Sequence, residues 1–456
     1  MKSQKILTLF LILSSTVWSA EQRGVYKSSA PHEMIILEKG PPSLVTRLQL
    51  INRAKSTINL EYYIYAMDTS GRLIMNALIK KAKQGIKVRV LIDNLSFPFS
   101  GALASELAAK GIALKRYNNI KLYKSPRKFQ YRNHRKLLSI DGVEAIVGGR
   151  NIDDTYFMIA KNNNKYDRDV YIKGELVKTM DETFNLYWQH KLSTFPKLKK
   201  VYPVSKINAA LALLSENKND QKILEKFKQL ATISDATNPR YICENSIFAT
   251  DLPGTGKSGN LLAPYLYDLF ANAQDQLLID NSYFATQRSE KKLFGPLLEK
   301  GVDIKILTNG LNEKGSFFTN SMMQTRFAWY TKRGMQVFLF HGEEIADEPV
   351  LTERPYKGTF STHAKSFVID HSTSIITSYN LDPRSKYYNR ELAVVCHDHT
   401  QMANTLTKNI KKRMQGSFKL KKNGRLSKED KKKIDWFIRI KAKIANPIAR
   451  LFGRLI

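Results

Sequence analysis

The chain has 456 residues, of which 43% are hydrophobic and 10% aromatic, so it can bury the cores of two or three globular domains. Lysine and arginine number 73 against 41 acidic residues, which gives a net charge of +32. This charge attracts phosphate-bearing partners, either nucleic acid or an anionic membrane surface, without choosing between them. The two cysteines, Cys243 and Cys396, exclude a multi-disulfide scaffold and leave one bridge open.

Residues 1–20 are predicted to be a signal peptide. A short positive start precedes an apolar run, Ile6 to Trp18, which is too short to span a membrane comfortably and is followed by small residues. Val17 and Ser19 fit the small-residue rule for cleavage. An uncleaved anchor is the alternative. No later segment approaches the about 18 apolar residues of a spanning helix, so we expect an exported protein, periplasmic or secreted and peripheral on a membrane.

A strand–helix–strand unit follows in the first half of the chain. Residues 58–65 are rich in β-branched and aromatic residues and are predicted as a strand, a helical pattern ends at Gly85, and residues 86–93 form a second strand. A unit with the same order begins at Gln276 and has Gly301 at the matching point. Alternating strands and helices predict an α/β fold with a largely internal sheet in each half.

Each unit is followed by the same motif, His-x-Lys-x4-Asp. The motif residues are His134, Lys136 and Asp141 in the first copy and His363, Lys365 and Asp370 in the second. Six residues separate each aspartate from the segments "GGRN" and "TSYN", which end at Asn151 and Asn380 and keep the same spacing from the histidine. Such a long pattern does not recur by chance, which indicates a duplicated unit.

The spacing of the motif predicts one pocket in each half. On a strand His134 and Lys136 point to the same face, whereas Asp141, five positions beyond the lysine, points away. Asn151 follows a second apolar run, predicted as a neighbouring strand, where glycines such as Gly149 let the backbone approach a ligand. One imidazole, one ammonium group and one amide therefore converge.

One such pocket is half of a site for displacement at a phosphodiester. The reaction needs a nucleophile on one side of phosphorus and a proton donor for the leaving oxygen on the other, and histidine can serve in either role. Two lysines and two asparagines would hold the non-bridging oxygens and stabilise the transition state. Two facing copies supply all of these groups, so no metal or other cofactor is required.

The doubled motif resembles the signature of the phospholipase D superfamily over roughly residues 45 to 400. Finer likeness is to the bacterial cardiolipin synthase branch, in segments 147–157, 167–174, 181–188 and 379–391 among others. The resemblance implies two tandem α/β halves related by a pseudo-two-fold axis, with the active site at their interface. Thr377 stands where the family usually has glycine, and no pair of spanning helices precedes the first half, unlike in some synthases.

The resemblance also implies residue roles. His134 would be the histidine that is phosphorylated, with Lys136, His363 and Lys365 completing the catalytic set. Phosphate-binding residues would be Asn151, Asn380, Ser378 and Gly149. Supporting residues would be Asp141 and Asp370, outside the reacting centre, and Glu391, which would hydrogen-bond a catalytic histidine.

The rest of the chain is divided by composition. The predicted regions are a signal peptide (1–20), a first half (45–200), a helical connector (201–235), a second half (236–400) and a basic C-terminal tail (401–456). The tail holds 17 basic and three acidic residues. Its apolar residues approximate a helical stripe, which suits either a helix lying on anionic lipid or a helix packed against the second half.

The leading functional hypothesis is a phosphatidyltransferase that acts on phospholipids at an anionic membrane surface. The acceptor would be an alcohol, as in cardiolipin synthesis, or water, as in a phospholipase D hydrolase that releases phosphatidic acid. A secreted phosphodiesterase or nuclease uses the same chemistry. We do not expect nucleic acid as the partner, because family nucleases are often single-motif dimers and export removes the chain from cellular nucleic acid.

Overall fold

The structure is a computed structural model that describes residues 24–237, 239–311, 323, 326–342, 360–434, 436–441 and 444. The predicted signal peptide lies outside these residues and stays a prediction. No helix within the described ranges has the length and apolar character needed to cross a membrane.

The described residues form strands and helices in alternation along most of the chain. The strands are β1 Val25–Ser28, β2 His32–Leu37, β3 Thr57–Tyr62, β4 Lys87–Asp93, β5 Ile112–Tyr117, β6 Arg132–Asn133, β7 Leu137–Ile140, β8 Glu144–Gly148, β9 Lys165–Tyr166, β10 Asp169–Lys173, β11 Ser193–Thr194, β12 Tyr241–Cys243, β13 Asn245–Thr250, β14 Gln276–Asn281, β15 Asp303–Asn309, β16 Gln336–Phe340, β17 Ser361–Thr362, β18 Lys365–Ile369, β19 Thr373–Thr377, β20 Asn389–Arg390, β21 Leu392–His397 and β22 Phe418–Lys419. The helices are α1 Gly40–Arg53, α2 Thr69–Lys83, α3 Gly101–Ala109, α4 Pro126–Phe129, α5 Leu176–Gln189, α6 Val204–Leu214, α7 Lys218–Thr237, α8 Leu262–Ala271, α9 Arg288–Glu299, α10 Phe327–Thr331, α11 Pro383–Tyr387, α12 Thr400–Gln415 and α13 Lys428–Lys432.

Two nine-stranded sheets have the same internal order. The first sheet runs β12-β2-β10-β8-β7-β3-β4-β5-β11, and the second runs β1-β13-β21-β19-β18-β14-β15-β16-β22. In each sheet the strands before and after the crossover helix are parallel, and the two strands of the motif region are antiparallel. The matching orders confirm the prediction of two tandem α/β halves with a common plan.

The crossover helices end where the sequence predicts. Gly85 after α2 and Gly301 after α9 both adopt a positive φ, 84° and 87° respectively. Glycine reaches this conformation without the steric penalty that a Cβ would bring, so the chain can leave the helix and turn into the next parallel strand.

Each half contributes one edge strand to the sheet of the other half. Strand β1 pairs antiparallel with β13, whereas β12 pairs antiparallel with β2. A disulfide joins Cys243 in β12 to Cys396 in β21 and so links the two sheets covalently. The predicted boundaries at residues 45 and 236 stay predictions. Strands β1 and β2 lie before residue 45. The sequence does not predict them, because such short strands leave little periodic signal.

The sheets face each other across a shared core. Leu137 and Val147 of the first sheet pack in one cluster with Val368 and Val394 of the second, together with residues of α5 and α12. Helices α1 to α3 cover the outer face of the first sheet, and α8 to α10 cover that of the second. The strands are thus buried on both faces, as the long apolar runs predict.

The predicted connector and tail both contribute to the packing of the halves. Helices α6 and α7 lie on the outside of the first half, where Ala210, Leu214 and Ile223 are buried. Helix α12 lies between the sheets, and Ile434 is buried in the outer core of the second half. The tail therefore packs against the second half at least as far as Ile434, while Trp436 beyond it is exposed.

Candidate active site

The two motif histidines are held by backbone pairing between the halves. Short strand β6 pairs in parallel with β20, and the His134 amide that follows it donates to the Arg390 carbonyl oxygen over 2.9 Å. In the same way β17 pairs with β9, and the His363 amide donates to the Tyr166 carbonyl oxygen over 2.6 Å. Each histidine is therefore positioned by the opposite half.

Each histidine also bonds a carboxylate from the opposite half. The Nδ1 atom of His134 lies 2.8 Å from Oε2 of Glu391, and Nδ1 of His363 lies 2.6 Å from Oδ2 of Asp167. A carboxylate at Nδ1 fixes the tautomer and the orientation of the ring and leaves Nε2 for chemistry. Neither half alone contains a complete histidine–carboxylate pair.

Asp167 was absent from the residues predicted from the sequence, although the repeat contains the signal for it. Asp169 pairs with the first residue of "GGRN", and Ala393 pairs with the first residue of "TSYN". Two residues before these lie Asp167 and Glu391, which are thus equivalent positions in the duplicated unit. The number of residues between the asparagine and the carboxylate differs between the two halves. The strand pairing in the structure is therefore needed to align Asp167 with Glu391.

The two lysines lie beside the histidines. The Nζ atom of Lys136 donates to the His134 carbonyl oxygen over 2.6 Å, and Nζ of Lys365 donates to the His363 carbonyl oxygen and, over 2.9 Å, to Oγ of Ser282. Burial lowers the pKa of Lys136 to about 7, with repulsion from Lys365 adding to the effect. Burial likewise lowers the pKa of Lys365 to about 8. A bound anion would favour the charged form of both.

The surroundings of both imidazoles favour their neutral form in the site without a bound substrate. Burial and then the charges of Lys136 and Lys365 hold the pKa of His134 well below its usual value. Burial and the charges of Lys365 and Lys165 do the same for His363. The charge of Lys136 also lowers the pKa of His363, so each motif lysine acts on the histidines of both halves and the four groups lie close together. A neutral imidazole has a free lone pair, which a nucleophile needs.

The two carboxylates have raised pKa values. Burial raises the pKa of Glu391 to about 7, against the charge of Lys136 and hydrogen bonds from Ser378, Ser385 and Asn389. Burial also raises the pKa of Asp167 to about 6, against the charges of Lys365 and Arg150. Carboxylates that titrate this close to neutrality allow protons to be exchanged with the histidines during a reaction.

The predicted phosphate-binding residues lie around these pairs. Asn151 accepts from the Ile64 amide over 3.1 Å and donates to the Tyr156 hydroxyl over 2.9 Å. The side-chain oxygen of Asn380 is buried and has no hydrogen-bond partner within the described part of the chain. Contact of these amides with phosphate stays a prediction.

Ser378 and Gly149 contact the carboxylates of the site. The Ser378 hydroxyl donates to Oε2 of Glu391 over 2.5 Å. At the equivalent position a Cβ on Gly149 would overlap with the Asp167 side chain, so glycine leaves the space that the aspartate occupies. Both residues thus set the position of a histidine partner, and their predicted phosphate contact stays a prediction.

The motif aspartates lie at the far ends of their strands. Asp141 accepts from the backbone amides of Lys55, Ser56 and Thr57 where β3 begins. Asp370 accepts in the same way from Gln274, Asp275 and Gln276 where β14 begins. They join two neighbouring strands and do not contact the histidines.

Tyr156 is a further residue at the site that the sequence did not single out. Its hydroxyl lies 3.4 Å from Nε2 of His363, and its ring packs edge-on against that histidine. Lys165 and Asn151 both approach the same hydroxyl. The equivalent residue in the second half is Ser385, which donates to Glu391 over 2.7 Å.

A family profile described as cardiolipin synthase, phospholipase D-like domain, matches residues 48–188 and 266–414, which is more than half of the chain. The chain belongs to this cardiolipin synthase family. The match falls in two segments, one in each half, as a duplicated unit requires. The predicted membership of the phospholipase D superfamily and of its cardiolipin synthase branch is confirmed.

Relatives of this family are similar over most of their length. Cardiolipin synthase C of Escherichia coli K12 is 29% identical over 80% of this chain and 81% of its own. An uncharacterised protein of Helicobacter pylori J99 is 28% identical over 89% of this chain and 84% of its own. The crystal structure of the Haemophilus influenzae Rd KW20 phosphatidylserine synthase superposes with a TM-score of 0.66 at 16% identity, covering 94% of this chain and 97% of that one, which supports the fold.

Proposed function

We propose that the chain transfers a phosphatidyl group from a phospholipid to an alcohol through a phosphohistidine. The observation that carries this proposal is the crossed pair of histidine–carboxylate contacts, His134 with Glu391 and His363 with Asp167, beside two buried lysines. Two oriented imidazoles at one site supply a nucleophile and a general acid–base, which a two-step displacement at phosphorus needs.

In the first step Nε2 of His134 attacks phosphorus and the bond to the head-group oxygen breaks. Protonated His363, its charge favoured by the carboxylate of Asp167 and by the bound phosphodiester anion, donates its proton to the leaving oxygen. In the second step neutral His363 takes the proton of the acceptor hydroxyl, whose oxygen attacks phosphorus, and the bond to His134 breaks. Lys136 and Lys365 offset the negative charge on the phosphoryl oxygens.

We propose phosphatidylglycerol as both donor and acceptor, which gives cardiolipin and glycerol. The name of the Escherichia coli relative, cardiolipin synthase C, supports this choice. Water as the acceptor would make the protein a hydrolase that releases phosphatidic acid, because the second step is the same with a smaller nucleophile. A phosphodiesterase that acts on nucleic acid is the least favoured alternative.

Lipid analysis by mass spectrometry separates these outcomes. Purified protein incubated with phosphatidylglycerol in detergent is expected to form cardiolipin and an equal amount of glycerol, with a His134→Asn, His363→Asn double variant as the control. Phosphatidic acid without cardiolipin would assign hydrolysis. No change in the lipid would contradict the proposal.

Activity is expected to persist in excess EDTA. A loss of activity that a divalent ion restores would contradict the metal-independent scheme.

We further propose that the protein is exported and acts on an anionic membrane surface. The disulfide between Cys243 and Cys396 supports export, because structural disulfides form in oxidising compartments. The net charge of +32 supports attraction to anionic lipid. Thiol labelling of protein from cells lysed in alkylating agent tests the first point, and two free thiols in the native protein would contradict it.

A further inference from the structure

An exposed basic loop leads directly into the active site. Residues 121–128, "KLYKSPRK", hold four basic residues and no acidic residue. Leu122 is 52% exposed and Tyr123 is 79% exposed. Large apolar side chains exposed next to each other and flanked by cations are the composition of interfacial membrane-binding segments. We call residues 121–128 the basic loop.

The basic loop is closed at its base by one buried side chain. Asn118, which follows β5, donates from Nδ2 to the carbonyl oxygens of Lys128 and Tyr131 over 3.0 and 2.5 Å. His134 follows three residues after Tyr131. These two hydrogen bonds hold the base of the loop at the carboxyl end of β5. This is the end of the sheet where His134 lies.

Residues that directly follow the basic loop contact the second half beside the site. Arg384 donates from Nη1 to Oε1 of Gln130 over 3.1 Å, and the charge of Arg384 helps to lower the pKa of His134. The ring of Tyr131 packs edge-on against that of Tyr388. A surface that the loop touches would therefore lie next to the place where the two halves meet beside His134.

The four cations of the loop are available for a partner. Lys121, Lys124, Arg127 and Lys128 are exposed, and none forms an ion pair with an acidic residue in the described ranges. Basic residues near an anionic bilayer each contribute roughly 1 kcal/mol of attraction. Tyrosine prefers the interface of a bilayer, where its ring is buried and its hydroxyl stays wet.

We propose that the basic loop docks on an anionic phospholipid bilayer, with Leu122 and Tyr123 inserted among the head groups and the four cations on lipid phosphates. Docking would bring the site close to the surface from which a phospholipid is drawn. The proposal rests on the proposed function only for this last consequence, since binding to vesicles can be measured without turnover.

Vesicle co-sedimentation tests the loop directly. The full chain is mixed with phosphatidylcholine vesicles that contain phosphatidylglycerol, and with vesicles of phosphatidylcholine alone, at low and high salt. Replacing the four loop cations by alanine is expected to lower the partition coefficient by up to about a thousandfold at low salt. Leu122→Ala with Tyr123→Ala is expected to lower it about tenfold at both salt concentrations.

A matched variant controls for net charge. Lys55, Lys80, Lys83 and Lys87 are exposed at the opposite end of the first sheet, and replacing all four by alanine removes the same charge. This variant is expected to keep most of the binding. Equal losses in the two quadruple variants, or no loss from either loop variant, would overturn the proposal. So would binding that disappears only when residues 425–456 are removed.

Two further measurements separate the docking proposal from the proposed function and from binding to nucleic acid. Turnover of a monomeric short-chain phosphatidylglycerol by the loop variants is expected to match that of the parent, which also shows that the variants fold. An inactive parent that still binds vesicles through the loop would contradict the proposed function and leave the docking surface in place. Loop variants that lose affinity for an oligonucleotide but not for vesicles would overturn the lipid assignment.

Discussion

The two histidines occupy equivalent positions in a duplicated frame, yet their surroundings differ. The carboxylate of Glu391, which holds His134, accepts hydrogen bonds from Ser378, Ser385 and Asn389. The carboxylate of Asp167, which holds His363, accepts only from that histidine and the adjacent Arg168 amide among the described residues.

This difference indicates how a symmetric site can assign unequal roles. A carboxylate held by three neutral donors is fixed in place, so that His134 is held in one orientation, as a nucleophile requires. His363 has instead the Tyr156 hydroxyl near Nε2, the atom that would exchange a proton. We infer that duplication supplied the frame and that divergence of the neighbouring residues separated the nucleophile from the acid–base.

The largest effect is expected from Glu391→Gln, which keeps the size of the side chain but removes its charge. Turnover should fall by about a hundredfold or more, because a neutral amide cannot stabilise the positive charge that develops on His134 and can favour the wrong tautomer by donating to Nδ1. In the parent the rate of histidine phosphorylation should rise with pH through about 7, as Glu391 loses its proton. The variant should lack this rise. The exposed Glu299→Gln is the control, and a variant that keeps the rise would contradict the assignment.

Gly149→Ser gives the first half the residue type that the second half has at the equivalent position, Ser378. The new side chain would overlap with Asp167 and displace it from His363. We expect a loss of up to about a hundredfold in turnover with a glycerol leaving group, because the general acid loses its orientation. An activated ester should be affected much less. Equal losses with both substrates would show that the variant disturbs the whole site.

Ser378→Gly imposes the residue of the first half on the second. About a tenfold loss is expected, since one hydrogen bond to a charged group is removed. That hydrogen bond lowers the pKa of Glu391, so its loss should raise this pKa above its value of about 7. The rise of the pH–rate profile should therefore move to higher pH. A move to lower pH would contradict the role given to Ser378.

The smallest effect is expected from Tyr156→Phe. The hydroxyl is removed while the ring packing against His363 is kept, so turnover should fall a few fold. Phosphorylation of His134 by an activated ester should be unchanged, as measured in a single turnover. A variant that slows this step would place Tyr156 in the nucleophilic half of the site.

Much of the frame can be predicted from the sequence because it depends on local patterns. The strand–helix–strand units and the paired motifs follow from periodicity and from repetition at fixed spacing. The exchanged strands β1 and β12 do not, because their pairing is non-local and each has at most four residues. The sequence predicts a basic tail where helix α12 lies, because the lysines of this helix mask a buried face that includes Met402 and Met414.

The sequence predicts which motif side chains lie together but not which side chains they contact, and their chemical roles stay predictions. His134, Lys136, His363 and Lys365 converge as the motif predicts. The sequence does not predict Asp167 as a site residue, because its partner, His363, comes from the other half and its position depends on strand register. The contacts of Ser378 with Glu391 likewise depend on packing between strands that the sequence separates.

The central claim is that His134 forms the covalent bond to phosphorus and His363 moves the proton. The direct test is to mix a His363→Ala variant with an activated p-nitrophenyl phosphodiester, whose leaving group needs no protonation, and to locate the adduct by peptide mass spectrometry. We predict that phosphorylated His134 accumulates, because no base remains to activate the acceptor. The assignment of roles would be contradicted by phosphate on His363 in a His134→Ala variant together with none on His134 in the His363→Ala variant. The covalent mechanism would be contradicted if neither histidine carried an adduct while both single variants stayed active.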